Sequence, residues 1–336
     1  MQTFNSTPLH VQLLKIINGP RPKSAIALII QDDGSLENPG QVILDDFSAE
    51  EFKSNKIFYN GDSIYDLWVS PAGDIWACSS FGNVYTTADV NFPDNPIRSG
   101  YNLDHDRIRN SGYNWKMYTL DAVQNGVRIW SPDGVNIFVG TYSGHVYLWN
   151  GTTWTKQETP TSEKEGKYIY HFAGTAVNNV FAIGNHATEL HHYNGTKWEP
   201  TAFDRFTHGS LAPSGLLQHP DGFCYLACEG GRIWKTRDGQ QFELVVQDPE
   251  LNISSMAYAH DKIIIAAGEK GVFTIQDEQL VNLRNTFNAV QVSGSGNQAV
   301  FIRPEKESED KITVAYAVYC SSPEKPWLGY SFHYAK

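Results

Sequence analysis

The sequence predicts an all-β chain assembled from a repeated four-stranded unit, and three observations predict it. A phrase recurs: "YLWNGTTW" at 147–154 is answered by "HHYNGTKW" at 191–198, 44 residues later. A frame recurs too: a small residue closes an apolar run at Ser79, Thr141, Gly184, Cys228 and Gly268, and Gly82, Gly144, Ala187, Gly231 and Gly271 follow three positions on. Helix-periodic stretches with caps are scarce, and "SAEEFKSN" at 48–55 allows one short turn at most.

Each element follows from this frame. Asn-Gly between apolar runs is the signal of a hairpin with a type I′ turn, in which both central residues take positive φ, so both phrases read as hairpin tips. Eleven or twelve residues before each small anchor sits a large apolar residue, Trp68, Trp130, Phe172, Leu217 and Met256. Five after it come Val84, Val146, Glu189, Ile233 and Phe273, with Leu190 repairing the misfit at Glu189. The anchors are 62, 43, 44 and 40 residues apart, a unit of about 43 residues with one insertion. Four short strands in such a unit are the signature of a β-propeller blade, whose faces are covered only by neighbouring blades. The ends read as strands as well: "HVQLLKII", "SAIALII", "GQVILDDF" and "KIFY" before the first copy, "NAVQV", "QAVFIR", "ITVAYAVYC" and "LGYSFHY" after the last. Counting one blade at each end predicts a single propeller domain over 1–336 with seven blades, or six if the termini share one sheet.

Composition excludes several classes. A chain of 336 residues with 41% hydrophobic, 13% aromatic and 19% charged residues is folded and rich in sheet. Its length suffices to bury roughly three quarters of the unfolded surface. The net charge of −11, without a Lys/Arg cluster longer than "RPK" at 21–23, lacks the footprint of a nucleic-acid binder. The N-terminus shows no basic region followed by an apolar run, and no stretch approaches the ~18 apolar residues of a membrane span. With four cysteines (Cys78, Cys224, Cys228, Cys320) a disulfide framework is not expected, and the reading is a cytoplasmic protein.

Units closing in "LWNGTTW", "HHYNGTKW" and "WKTRDGQQF" resemble blades of the bacterial Asp-box (BNR) and photosystem II assembly factor-like propellers. The likeness covers about 68–285, and "TRDGQQF" keeps Thr236, Asp238 and Gly239 of the box while ending in Phe242 in place of Trp. The resemblance implies a propeller fold.

No catalytic or metal set assembles. Cys224 and Cys228 share one face of a strand, without a further Cys pair or His to complete a zinc site, and read as core. His186, His191 and His192 with Glu189 read as strand histidines, since His191 and His192 point to opposite faces. Asp104, His105, Asp106, Arg107 and Arg109 would suit glycoside chemistry. Resemblance to sialidase-like propellers would further imply an arginine cluster, a Tyr/Glu pair and an Asp drawn from different blades around the axis, a set that the scattered Arg128, Arg205, Arg232 and Arg303 do not assemble. Trp68, Trp76, Trp130, Trp149, Trp154, Trp198 and Trp234 read as blade packing. No cofactor is called for.

The insertion is the exception. Val84 to Trp115 spans 23 residues more than Val146 to Trp154, so a loop of about 88–113 extends the tip between a blade's third and fourth strands. It carries Phe92, Tyr101, Asp104, Asp106, Arg107, Arg109, Tyr113 and Trp115, residue types that carry interface energy. The sequence therefore predicts a non-catalytic protein-binding propeller, in its narrowest form an immunity-type or antitoxin-like inhibitor of a basic protein. A glycan-binding or glycoside-hydrolysing, sialidase-like propeller is the alternative from another class, and a structural scaffold of a larger assembly is the third.

Overall fold

The computed structural model describes residues 10–19, 24–32, 40–46, 53–60, 63–93, 109–110, 114–120, 126–162, 168–184, 186–304, 306–307, 311–320 and 327–335. The first sheet is a meander of β1 (His10–Asn18), β2 (Ser24–Asp32), β3 (Gly40–Asp46) and β4 (Lys53–Asn60). Lys53–Asn55 of "SAEEFKSN" are thus strand, not the start of a helical turn, because they continue the ladder with Asp46, Asp45 and Leu44. The second sheet holds β5 (Ile64–Val69), β6 (Ile75–Ser79) and β7 (Asn83–Thr86). The chain then lays β8 (Arg109–Asn110) on β4 of the first sheet before β9 (Lys116–Thr119) completes the second.

The third sheet is β10 (Gly126–Trp130), β11 (Ile137–Thr141), β12 (Val146–Trp149) and β13 (Trp154–Gln157). The fourth is β14 (His171–Ala176), β15 (Asn179–Gly184), β16 (Glu189–Tyr193) and β17 (Trp198–Pro200), followed by the one-turn helix α1 (Arg205–His208). The fifth comprises β18 (Leu211–Gln218), β19 (Cys224–Cys228), β20 (Arg232–Thr236) and β21 (Glu243–Gln247). One parallel bridge, Ser214 to Ser255, joins it to the sixth, β22 (Ser255–Ala259), β23 (Lys262–Ala266), β24 (Val272–Gln276) and β25 (Gln279–Arg284). The last sheet runs β26 (Gln291–Ser295), β27 (Gln298–Ile302), β28 (Lys306–Glu307), β29 (Lys311–Cys320) and β30 (Trp327–Ala335), with β29 between β27 and β30.

Burial follows position in the sheet. All residues of the second strands β6, β11 and β19 are buried, whereas the fourth strands β13, β21 and β25 are largely open. A second strand is covered on both faces by the flanking sheets and so reads as a continuous apolar run. Phe138 and Val180 with Trp198 fill one such interface, and Trp76 with Trp149 another. The first strands touch in succession, β1 to β5, β5 to β10, β10 to β14, β14 to β18, β18 to β22 and β22 to β26. β26 and β27 then return to β1 and close the ring. Gln298 Nε2 bridges that seam, donating to Asn18 Oδ1 at 2.5 Å and to the carbonyl of Ser24 at 2.9 Å.

The five-fold frame is a backbone requirement. Gly82, Gly144, Ala187, Gly231 and Gly271 all adopt left-handed φ, of 72°, 77°, 60°, 61° and 103°, at the turn joining second and third strands. At two of the five the carbonyl takes an N–H from the chain leaving the fourth strand: Leu120 N to Gly82 O at 2.8 Å, Asp248 N to Gly231 O at 3.2 Å. That approach leaves no room, for a Cβ on Gly231 would lie 1.8 Å from the carbonyl oxygen of Asp248.

The hairpin tips differ from the expected type I′ turn. Only Gly151 and Gly195 are left-handed, at 94° and 92°, while Asn150 and Asn194 keep negative φ. Each Asn instead caps the turn with its side chain: Asn150 Oδ1 accepts from Thr152 N at 3.0 Å and Thr153 N at 2.9 Å, Asn194 Oδ1 from Thr196 N at 3.0 Å and Lys197 N at 3.1 Å. Asp238 does the same for Gln240 N at 2.8 Å and Gln241 N at 3.1 Å, so "TRDGQQF" and the two Asn phrases are one structure. Those two N–H groups hold the Asp238 carboxyl below its usual range.

Gly231→Ala combines a left-handed alanine, about 1–2 kcal/mol, with displacement of the Asp248 carbonyl. We expect a urea midpoint well below that of Gly268→Ala, a position also at positive φ (54°) but with open space around it. Equal losses in the two variants would show that the close approach is not what fixes the glycine.

Candidate functional site

Thirteen residues before each anchor the first strands place Asp66, Arg128, His171, Gly215 and Ser255, and all but Gly215 line the space at the ring axis. A cavity of about 1420 Å³ lies there, with Lys15 from β1 joining Asp66, Arg128, His171 and Ser255 in its wall. Asp66, 1% exposed, binds the ammonium of Lys15 through one oxygen and accepts from Ile129 N at 3.0 Å through the other. Its carboxylate thus ties the first, second and third sheets together at their innermost strands. Lys15 Nζ also donates to the carbonyl of Leu67 at 2.8 Å. Arg128 directs Nε to the carbonyl of Tyr170 and Nη1 to that of Val127 at 3.3 Å. Burial, then the charges of Arg128 and Lys15, push the His171 imidazole down to about 3, so it is neutral at physiological pH.

Beside this cavity an arc of aromatic side chains crosses three sheets. Tyr65 meets Tyr142 with ring centroids 5.9 Å apart, Tyr142 meets Tyr168 at 5.0 Å, and Tyr168 meets Tyr170 at 4.1 Å. Tyr170 Oη lies 3.0 Å from His186 Nδ1. Tyr65 lines the cavity, and Arg128 reaches the arc through the backbone of Tyr170. Tyr142 is 42% exposed on the turn between second and third strands, and the neighbouring turn offers exposed Phe81. Successive rings are tilted by 75°, 53° and 42°, so they present edges, hydroxyls and separate faces instead of one flat platform.

The insertion divides into two kinds of residue. Phe92 is half-buried among Trp76, Tyr118, Trp149 and Trp154, at centroid distances of 6.2, 5.5, 5.4 and 6.5 Å, inside the interface between second and third sheets. Trp115 packs on Phe58 at 4.7 Å and donates Nε1 to the carbonyl of Ile57 at 3.0 Å. These two aromatics fasten the ends of the loop. Arg109 lies in β8, opposite Tyr59 of the first sheet. Tyr101, Asp104, Asp106, Arg107 and Tyr113 lie outside the described residues.

Of the four scattered arginines, Arg128 alone lines the cavity. Arg205 covers the Phe206 ring at 4.8 Å, Arg303 that of Phe287 at 5.3 Å, and Arg232 donates to the carbonyls of Glu229 and Thr207. His191 is buried, with Glu189 at 3.6 Å, while His192 stacks on Phe181 at 4.6 Å and bonds Asn179. Cys224 and Cys228 are buried in the core between fourth and fifth sheets, and burial raises both thiols, Cys228 to about 12.

Sequence reasoning missed Lys15, Asp66, His171 and the tyrosines. The signal was present: Asp66 in "IYDLWV", Arg128 in "GVRIW" and His171 in "YHFAG" are polar residues in apolar strands at one common offset from the anchor.

A closed ring of antiparallel sheets around an axial cavity defines a β-propeller. In fold the chain is similar to YCF48, a photosystem II assembly factor. The structure of YCF48 bound to D1 peptide matches with a TM-score of 0.56 at 12% identity, over 89% of this chain and 93% of that one. YCF48 from Cyanidioschyzon merolae matches with 0.53 at 12% identity over 93% of both chains. PorZ, a surface component of the type-IX secretion system of Porphyromonas gingivalis, matches with 0.51 at 10% identity over 97% of this chain, which spans 46% of PorZ. No protein-family profile matches the chain, nor does any curated protein sequence. At such identities the likeness is one of fold.

Two outcomes follow from this geometry. Phe92→Ala empties the middle of an aromatic cluster and lowers stability by about 3 kcal/mol in urea denaturation, whereas an aromatic reserved for a partner would leave the midpoint unmoved. His171 stays neutral while an unfolded imidazole takes up a proton below its ordinary 6.5, so its contribution is full above pH 6.5 and declines as pH falls towards 3. The slope is up to about 1.4 kcal/mol per pH unit. Between pH 7 and 5 the native chain should lose up to about 2 kcal/mol more than His171→Asn; parallel losses would show that His171 is not held neutral.

Proposed function

We propose that the chain is a non-catalytic, protein-binding propeller, a single ring of seven blades over 1–336 that works in the cytoplasm and holds a basic protein partner. The observation that carries this reading is the arc of Tyr65, Tyr142, Tyr168 and Tyr170 with His186, exposed in part and continuous across three sheets. Tyrosines of this kind supply contact area and a hydrogen-bonding edge at low entropic cost, which is why they concentrate at binding surfaces. The net charge of −11 supports a basic partner, since a long-range acidic field raises the rate of encounter with one. That YCF48, similar in fold, is seen bound to a peptide supports the class of ligand. In its narrowest form the proposal is an immunity-type inhibitor, which keeps a basic toxin occupied. The tilt between successive tyrosine rings argues against the glycan-stacking alternative, which needs faces in a common plane. The insertion residues Tyr101, Asp104, Asp106, Arg107, Arg109 and Tyr113 belong to the proposed contact, with Phe92 and Trp115 as its fastenings.

The test compares three forms of the protein as bait: the native chain, Tyr142→Ala/Tyr168→Ala, and a form with Tyr101, Asp104, Asp106 and Arg107 changed to Ser while Phe92 and Trp115 are kept. One basic protein retained in fixed stoichiometry by the native chain, with weaker retention at 0.5 M salt and in either variant, is expected. Co-production should also relieve any toxicity of that protein. Equal retention by all three forms would remove the arc and the loop from the interface, and retention of no protein at all would sink the reading.

A further inference from the structure

We propose that the axial cavity is a carboxylate-binding site in which Arg128 and Lys15 hold one carboxylate group, presented by the free C-terminus of a polypeptide or by a small carboxylic acid. Resting on the protein-binding reading, this assigns the partner's docking chemistry at the ring axis.

The argument begins with charge. In a chain of net −11, the described wall of the cavity carries two cations, Lys15 and Arg128, against one anion, Asp66. Only Lys15 is bound to Asp66, through one carboxylate oxygen, while the other oxygen accepts from Ile129 N and Arg128 is held instead by the carbonyls of Tyr170 and Val127. One positive charge is left over. A monoanion neutralises it, whereas a phosphate dianion would leave the wall with an excess negative charge next to buried Asp66.

Donor capacity points the same way. A guanidinium has five N–H groups, and among the described residues Arg128 uses Nε on Tyr170 and Nη1 on Val127, which leaves its Nη2 pair uncommitted. Lys15 has three N–H groups and, among the described residues, uses two, on Asp66 and on Leu67 O. Arg128 is further pinned by carbonyls, so its remaining fork is preorganised for a carboxylate. Neutral His171 beside them adds no competing charge and offers a hydrogen-bonding ring.

Size and field select the carrier. A cavity of about 1420 Å³ exceeds the 300–1,000 Å³ of ordinary small-ligand pockets and admits an extended segment. The acidic field of the whole chain repels a free small anion but attracts a basic protein that brings a terminal carboxylate with it.

Three probes test this by calorimetry and by the NMR resonances of the His171 ring: the peptide Gly-Ala-Gly-Ala with a free C-terminus, the same peptide amidated, and sodium acetate, all against equal sodium chloride. Binding of the free peptide at least tenfold tighter than its amide, with a rise in the His171 pKa and a tenfold or greater loss in Arg128→Gln, is the expected result. Should acetate bind as tightly as the free peptide, the site serves a small acid and the polypeptide source is excluded. Equal binding of peptide and amide, or His171 resonances unmoved by all three probes in the native chain, would overturn the proposal without recourse to any variant. The outcome is separable from that of the protein-binding reading. A partner protein retained equally by the native chain and by Arg128→Gln sinks the carboxylate site alone. A peptide response with no partner protein retained sinks the protein-binding reading alone.

Discussion

No sheet in this molecule can cover its own faces, and the whole structure depends on that constraint. The second strands β6, β11, β15 and β19 are apolar on both sides, so an isolated sheet would expose a row of Ile, Val, Phe and Leu to water on each face. Stacking neighbours solves this for every sheet except the first and last of a linear stack. Closing the stack removes the exception, because β26 and β27 cover β1 and Gln298 bonds the seam. Asp66 plays the same part elsewhere on the axis, joining three consecutive sheets through Lys15 and Ile129. Two fastenings of one logic thus hold inner strands that are far apart in sequence.

The parts of the fold legible in the sequence are those that rest on backbone geometry. The anchor frame could be read because each of the five turns between second and third strands holds a left-handed residue, at Gly82 and Gly231 with its carbonyl turned to the returning chain. A side chain at Gly231 or Gly271 would collide with backbone oxygen at 1.8 or 2.0 Å. Ala187 occupies the same conformation at φ 60°, which is why the frame survives there without glycine. The Asn-Gly phrases were legible as hairpin tips, but not in their mechanism. Composition favours Asn for two reasons, left-handed tolerance and side-chain capping, and here the second operates. The change matters for the Asp-box likeness, since Asp238 caps its turn as Asn150 and Asn194 do theirs.

The candidate site was less legible because residue type does not reveal which way a side chain faces. Phe92 and Trp115 have the composition of interface residues and sit in packed clusters. The axial residues had the opposite fault: Asp66, Arg128 and His171 are single polar residues in apolar strands, ordinary one by one. Only their shared offset from the anchor marks them as a set. Tyr142, Tyr168 and Tyr170 come from a turn and from the approach to β14, so contact between them depends on the curvature of the ring. No local pattern encodes such curvature.

Charge distribution then links the ring to its use. A propeller with eleven net negative charges could distribute them evenly, yet two of its cations stand at the axis with one buried carboxylate between their strands. Keeping them there carries a desolvation penalty that a purely packing role would not require, for an apolar wall of the same volume is often as stable or more so. Arg128 is also committed to backbone carbonyls on one side only, so its position is fixed while part of its donor set faces the cavity. Under the proposed carboxylate site, a fixed cation with donors uncommitted among the described residues, at the centre of an acidic ring, would separate two tasks that electrostatics otherwise confuses. The outer field acts over a Debye length and selects what approaches. The axial charge acts only at contact, and on the proposed reading it would select what, having arrived, can stay.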